Sequence, residues 1–593
     1  MNTPDARGGR SFAADPIVEA PRELPPVWAA QLVGCEVDES VGLPDSAVLS
    51  YRDPNHELLA KTGITIGTQL KISVVTVHGR TRQRLFTGEV TALELDTDTT
   101  GAFTVVRASA KTHRLMRGRK VAAFRNMTTA DIVRKVARGA GLSCGRIDPV
   151  PVTHQHLSQA NISDWEFLQY LARESGARVS VDDTGKLEFV RPARAAKAPS
   201  PATSAVRDPL VLEYGRNLLA LRAVLTGADG AGSVEVRGWN VTTKKPLVAR
   251  KPSVRSTAVL PGLNPAVAGK AFGAAARVTV ADTPYRTQAG AKAAADAVAA
   301  SVSDGFAELE AVAEGSPKLR AGVPVALGNV GAAFSGRYTT TSVRHVLEPQ
   351  GGYRSHVTVS ASPDRSLAGL VTGGGTAPHS PRMPGLATAV VTDVREQGGA
   401  QRGWVRLKFP WLDDTYVTDW VRTVQWGGQG GGGVFGPEVN DEVLVGFEQG
   451  SLDSPYVLGG LYNGVDRPSP HDVPLVDPTS GKVNRRSLVS RSGNRLELLD
   501  APRGPSGVRL ASGDKRLEVM LDERRGRIEL TVFGVGGRRA LSSVSLSATG
   551  ITLDAGTGTL DLRGRSVTVN GTTGVTVDGG LLTVLKGKLI RIN

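Results

Sequence analysis

At 593 residues the chain is longer than one hydrophobic core usually organises, so three or four domains are expected. Hydrophobic residues make up 40% and charged residues 22%, as in globular material; no apolar run approaches the ~18 residues that span a bilayer as a helix, and 70 glycines without every-third spacing exclude collagen and indicate tight turns between short strands. The formal net charge of +14 admits nucleic acid, an anionic membrane or an acidic protein partner, while two distant cysteines, Cys35 and Cys144, exclude a disulfide framework and favour folding in the cytoplasm.

Residues 1–26 are rich in Pro, Arg, Gly and Ala without apolar periodicity and read as a flexible arm. They contain no apolar stretch of the kind a signal peptide needs, so none is expected. From Trp28 to about Ala110 alternating residues such as Leu70, Ile72 and Val74 predict strands.

Two helices follow. Thr128 precedes Asp131 by three residues, ahead of the stripe Ile132, Val133, Val136 and Ala137. Ser163 and Glu166 form a full capping box ahead of Leu168, Leu171 and Ala172. Gly139 or Gly141 ends the first helix and Gly176 the second. Arg178 to Val181 and Lys186 to Val190 then read as a hairpin, closing an α/β insert of about 126–192.

A Pro/Ala/Ser linker at 193–205 leads to a second β-region, interrupted by an Ala-rich helix from about Thr287 to Ser303. The two β-regions and the insert together span 27–370. A linker at 371–384, a β-domain at 385–465, a further linker at 466–484 and a repetitive region at 485–593 complete the chain. The fold class is mainly β with a small α/β insert.

The repetitive region is built from apolar pairs separated by one residue: Ile551 and Leu553, Leu560 and Leu562, Val567 and Val569, Val575 and Val577, Leu582 and Val584, Ile590 and Ile592. Leu496 and Leu498, Leu517 and Val519, and Ile528 and Leu530 extend the theme at looser spacing. Strands this short cannot bury an apolar face or satisfy their backbone groups alone. Units of about eight residues are too short for a single-chain β-helix coil of roughly 20 residues or more. They predict one wall of an intertwined trimeric β-prism with the twelve residues from Ile551 to Ile592 as its core. A sandwich of ordinary hairpins is the competing reading.

Residues Gly403 to Pro410, Thr418 to Arg422, Gly436 to Val445 and Tyr456 to Leu461 resemble the OB-fold baseplate domain of the VgrG and phage tail-spike family. The helical stretch Asn161 to Leu168 is similar to that family's hub, and Ser492 to Leu498 to the start of its β-helix. The resemblance implies two tube-like hub barrels, an OB collar and a trimeric β-helix spike. It implies a homotrimer that caps an inner tube protein among baseplate components, ends in a PAAR-like tip protein, carries effector cargo as an optional passenger and meets the target membrane transiently. Assembly in the cytoplasm within an injection particle, with later translocation or release, is expected. No insertion follows the OB segment and no domain follows the last repeat, so the enzymatic variants of the family are expected to be absent, with no catalytic residue, cofactor or metal.

Other motifs in the chain have plainer readings. Gly428, Gly430 and Gly433 satisfy the dinucleotide glycine pattern, but no helix follows to bind phosphate. His154 and His156 could share a strand face, yet no third ligand is nearby. Asp413 and Asp414 fit a turn. Trp404, Trp411, Trp420 and Trp426, with neighbouring arginines, could form a single-strand nucleic-acid platform; packing within the OB domain and at interfaces is the expectation, and no nucleic acid is expected. A trimeric tail-fibre-like adhesin and an OB-fold nucleic-acid-binding protein are the alternative functions. From 481 to 593 there are 19 Lys and Arg against 10 Asp and Glu, which suits either attraction to anionic lipid or plain solubility of a rod.

Overall fold

Alternation along residues 32–52 sets the first core: Cys35, Val37, Ala47, Leu49 and Tyr51 point inward while their neighbours face out. In a computed structural model, which describes residues 16–75, 81–182, 184–227, 231–253, 258–270, 272–273, 276–349, 351–360, 383 and 385–592, the chain forms two units, divided between Leu461 and Tyr462.

The first unit is organised by a ten-stranded sheet. Its order is Pro16–Glu19, Gln69–Val75, Arg82–Asp98, Gly101–Ser109, Ser46–Arg52, Leu32–Ser40, Ser342–Glu348, Gly352–Val359, Ala307–Glu314 and Leu218–Leu225. The two β-regions expected as separate barrels therefore share one sheet. They join where Leu32–Ser40 pairs antiparallel with Ser342–Glu348, Val37 opposite His345. This seam buries Glu39, which is ion-paired with Arg320, while the Arg320 guanidinium also donates to the Leu85 and Arg84 carbonyls.

Residues 16–24 of the expected 1–26 arm are folded. Pro16–Glu19 pairs with Gln69–Val75 and buries Val18, with Ala20 and Leu24 buried beyond it. An edge strand of four residues carries too little periodicity to be seen in sequence. Residues 1–15 lie outside the described residues, as does the 371–384 linker apart from Met383. The 193–205 linker is also pinned, because Thr339 donates to the Ala193 carbonyl at 2.9 Å and Arg337 to that of Pro199 at 3.2 Å.

The insert follows its signals closely. Thr128 caps helix Thr129–Gly139, and Ser163 with Glu166 forms the capping box of helix Asp164–Ser175, which ends at Gly176 with φ +63°. Phe124, Ile132, Trp165, Phe167, Leu168 and Phe189 fill its core. Helix Gln288–Asp304, capped by Thr287, lays Ala291, Ala295, Val298 and Val302 on a three-stranded sheet of Lys245–Pro252, Ser233–Asn240 and Arg277–Val280.

The OB region is a five-stranded sheet in the order Arg406–Lys408, Leu386–Asp393, Glu442–Phe447, Pro455–Gly460 and Arg422–Thr423. Val391, Val405, Leu407, Phe409, Val443 and Val445 form its core. None of the four tryptophans singled out from the sequence lies in this core. Trp404 and Trp420 are half-buried and Trp411 and Trp426 exposed, because strands this short are filled by branched aliphatics and Phe409.

In the second unit, Arg485–Val489, Arg495–Asp500, Ser506–Ala511, Leu517–Asp522, Arg527–Phe533, Ala540–Ser547 and Gly550–Asp554 form a seven-stranded antiparallel meander, each strand paired to the next. The described residues after Asp554 contain no strand. The expected linker at 466–484 is held in place, since the His471 side chain is fully buried and pairs with Glu497 at 2.9 Å.

Candidate functional site

The two faces of the C-terminal meander differ in chemistry. On one face, direct cross-strand partners form an unbroken apolar row: Leu488, Leu496, Leu510, Val519, Leu530, Val544 and Leu553. Two residues along each strand a second row runs beside it: Leu498, Val508, Leu521, Ile528, Leu546 and Ile551. Cross-strand apolar pairs of this kind stabilise a sheet only when the face is covered. Here Leu496, Leu510, Leu530 and Leu553 are each 40–48% exposed. A groove of about 860 Å³ follows the first row, from Leu496 to Leu560.

The opposite face is polar and closed. Glu497 pairs with His471 and, at 2.7 Å, with Arg509, while Arg527 pairs with Glu529 at 3.0 Å. Burial pushes the Glu497 carboxyl up, but hydrogen bonds from His471, Arg509 and Ser487 prevail and hold it below the usual range. An apolar strand face left open on the other side of these ion pairs is an interaction surface, since patches this large are rare on lone soluble chains.

The twelve residues proposed as prism core continue this surface. Ile551 and Leu553 end the two rows, and the other ten lie in the strandless segment, from 51% exposed at Ile590 to 85% at Ile592. Sequence reading missed Val508, Leu510, Leu521, Val544 and Leu546, although the alternations Val508-Arg-Leu510 and Val544-Ser-Leu546 carry the signal.

A second site joins the insert to the OB domain. Strand Thr153–Ile162, paired with Lys120–Thr128, packs Ala160 into the OB core. Asp453 accepts the Ser158 hydroxyl at 2.5 Å and its backbone N–H at 3.2 Å, and His156 lies 3.3 Å away. The Ser158 hydroxyl also bonds the Tyr416 hydroxyl at 2.7 Å. Beside this joint is a cavity of about 310 Å³ lined by His154, Tyr170, Glu174, Tyr285, Trp420 and Asp453. The Tyr285 hydroxyl donates to Glu174 at 3.1 Å. Burial lifts the Glu174 carboxyl to about 7.

His154 and His156 diverge in role, His154 bonding Thr129 at 3.0 Å and His156 facing Asp453. Among the described residues no three His, Cys, Asp or Glu side chains are grouped to hold a metal. The glycine pattern folds into a pinched loop in which a Cβ on Gly432 would stand 2.4 Å from the Gly427 Cα. It carries the tilted pair Trp426 and Phe435, with ring centroids 4.7 Å apart and planes at 42°. Arg402 lies over Trp404 at 3.8 Å and Arg406 over Trp420 at 4.8 Å, so two of the tryptophans are covered by the chain's own guanidiniums. Asp413 accepts from the backbone of Thr415 and Tyr416 and closes its turn.

Residues 387–462 match the family model of the type VI secretion system/phage-baseplate injector OB domain, and residues 60–349 match the Alg8 N-terminal domain. The type VI secretion system spike protein VgrG5 of Pseudomonas aeruginosa is 34% identical over 140 residues, 21% of this chain and 18% of the relative. VgrG4b of the same organism is 38% identical over 140 residues, 21% and 17% of the two chains. The chain thus spans less than a fifth of the length of these curated relatives. Among solved structures, a type VI secretion component of E. coli, described as similar to T4 bacteriophage tail proteins gp27 and gp5, aligns with TM-score 0.44 at 15% identity, over 73% of this chain and 97% of its own. The Francisella PdpA-VgrG complex aligns with TM-score 0.46 at 10% identity, over 91% and 79%.

By class, a mainly β chain whose residues 387–462 match the injector OB domain is similar to components of the baseplate and spike kind. More particularly, it is similar over about a fifth of its length to the type VI secretion system spike proteins VgrG5 and VgrG4b.

Proposed function

We propose that the chain is a non-enzymatic homotrimeric spike of a contractile injection system. The carrying observation is the pair of apolar rows across seven strands, left open by a single chain and continued by the repeats to Ile592. Three copies packing these faces together cover some dozen large aliphatic side chains each, at about 1.5–3 kcal/mol per fully buried side chain. They also give residues 555–592 neighbours with which to pair their backbone groups.

In this reading the hub caps the inner tube protein, the OB domains meet baseplate components, and the C-terminal end receives a tip protein and any cargo. The particle assembles in the cytoplasm and the spike leaves with it, crossing the target membrane on firing. The adhesin and nucleic-acid readings lack a comparable observation, because the relatives matched are spikes and two OB tryptophans are already covered by arginines. Electron microscopy of the purified full chain tests the proposal: three-fold particles with one narrow rod support it, and particles of one chain each with a separate C-terminal sheet contradict it.

A further inference from the structure

Strand Ser233–Asn240 sends Val234 and Val236 into the core beneath helix Gln288–Asp304 and places Glu235, Arg237 and Trp239 on the opposite face. Glu235 stands across from Arg250 on the neighbouring strand, and Arg277 begins the strand on the other side. Three guanidiniums converge on this one carboxylate: Arg237 and Arg250 at 2.6 Å and Arg277 at 3.2 Å. Each guanidinium has five N–H donors and spends only part of them on Glu235. Among the described residues none of the three pairs with a second carboxylate, and Arg250 remains 69% exposed. Glu235 thus fixes a row of arginine forks facing solvent. Residues 231–280 hold eight Lys and Arg against this single acid.

The opposite charge is concentrated on one ribbon. Strands Arg82–Asp98 and Gly101–Ser109 continue beyond their core contacts, and every residue from Glu94 to Thr100 is exposed. Glu94, Asp96 and Asp98 lie there, Glu94 paired with Arg107 on the neighbouring strand at 2.5 Å and Asp98 accepting from the Thr100 and Gly101 backbone at the turn, so Asp96 and the second Asp98 oxygen face solvent. The ten-stranded sheet separates the two features. Strand Leu218–Leu225, which leads into the arginine face, forms one edge, and the ribbon belongs to the group of strands at the other. Copies set head-to-tail in a closed ring bring unlike ends together.

We propose that in the trimer the acidic tip from Glu94 to Asp98 of one copy seats on the arginine face around Glu235 of the next. This rests on the trimeric reading above and adds a contact outside the C-terminal region. Asp96 and Asp98 meet the free N–H groups of Arg250 and Arg277 in charge-assisted hydrogen bonds, with Trp239 exposed on the same face.

The test is site-directed cross-linking in the full chain. One variant carries Asp96→Cys with Arg250→Cys. A second carries Asp96→Cys with Trp239→Cys, which leaves all three arginines on Glu235 should the first fold poorly. Single-cysteine variants control for Cys35 and Cys144. Each protein is sized by light scattering, treated with a bismaleimide and run on a denaturing gel. Trimeric mass with covalent dimers and trimers well above the single-cysteine controls is the expected result. Trimeric mass with cross-linking no greater than those controls overturns the contact and leaves the trimer standing. Monomeric mass overturns the trimer itself and the contact with it.

Discussion

Asp453 of the OB domain binds Ser158 of the insert twice, accepting its hydroxyl at 2.5 Å and its backbone N–H at 3.2 Å. The bonded strand also places Ala160 in the OB core, so polar and apolar contacts hold the same joint. Asp453→Ala leaves the Ser158 N–H without a partner, at a local cost of about 1–3 kcal/mol. Hydrogen exchange is the suitable readout, because a chain of several domains has no single unfolding free energy. Exchange in the strand Thr153–Ile162 is expected to quicken in the variant while that in Leu32–Ser40 stays unchanged.

Glu174 makes the same region sensitive to pH. Its carboxyl is lifted by burial from 4.5 to about 7, so the folded chain keeps a proton that the unfolded chain releases between these values. Stability contributed by this group is therefore present below about pH 4.5 and is lost as pH rises towards 7. Glu174→Gln removes this loss: protection against hydrogen exchange in helix Asp164–Ser175 at pH 8 should rise relative to the wild type, and the difference should shrink at pH 4.5.

Charges placed in the apolar rows should block assembly. Leu510→Asp or Leu530→Asp puts a carboxylate on a face meant for burial, at a cost of several kcal/mol once covered. Sedimentation should show loss of the trimer. The exposed Arg538→Asp, away from both rows, should leave it intact.

Gly507 has a backbone that only glycine accommodates. Its φ is +124°, and a Cβ there would stand 1.9 Å from the Leu521 carbonyl oxygen. Gly507→Ala must separate strands Ser506–Ala511 and Leu517–Asp522. Limited proteolysis should cut the variant in this region, where the wild type resists.

Local signals in the sequence proved the most readable. The caps at Thr128 and Ser163, and the turn at Gly176, lie within a few residues of their partners, and the helices begin and end there. The apolar triplets were visible for the same reason. Features that depend on distant partners were not: the Val37–His345 seam spans most of the chain, and the four-residue edge strand at Pro16–Glu19 has no pattern of its own. His471 read as part of a linker because its partner Glu497 sits inside an apolar triplet, between Leu496 and Leu498. Which face of the OB domain each tryptophan takes also depended on distant partners: arginines cover Trp404 and Trp420, while Trp411 lies against Phe409 and donates to the Thr388 carbonyl.

The central claim is that three chains share the C-terminal apolar face. Its most direct test is the mass of the full chain by light scattering, beside a chain ending at Pro470, each before and after heating in detergent. A full-length trimer that survives heating, with resistance lost on truncation, is the predicted result. A full-length chain that is monomeric and equally stable with and without residues 471–593 would contradict it.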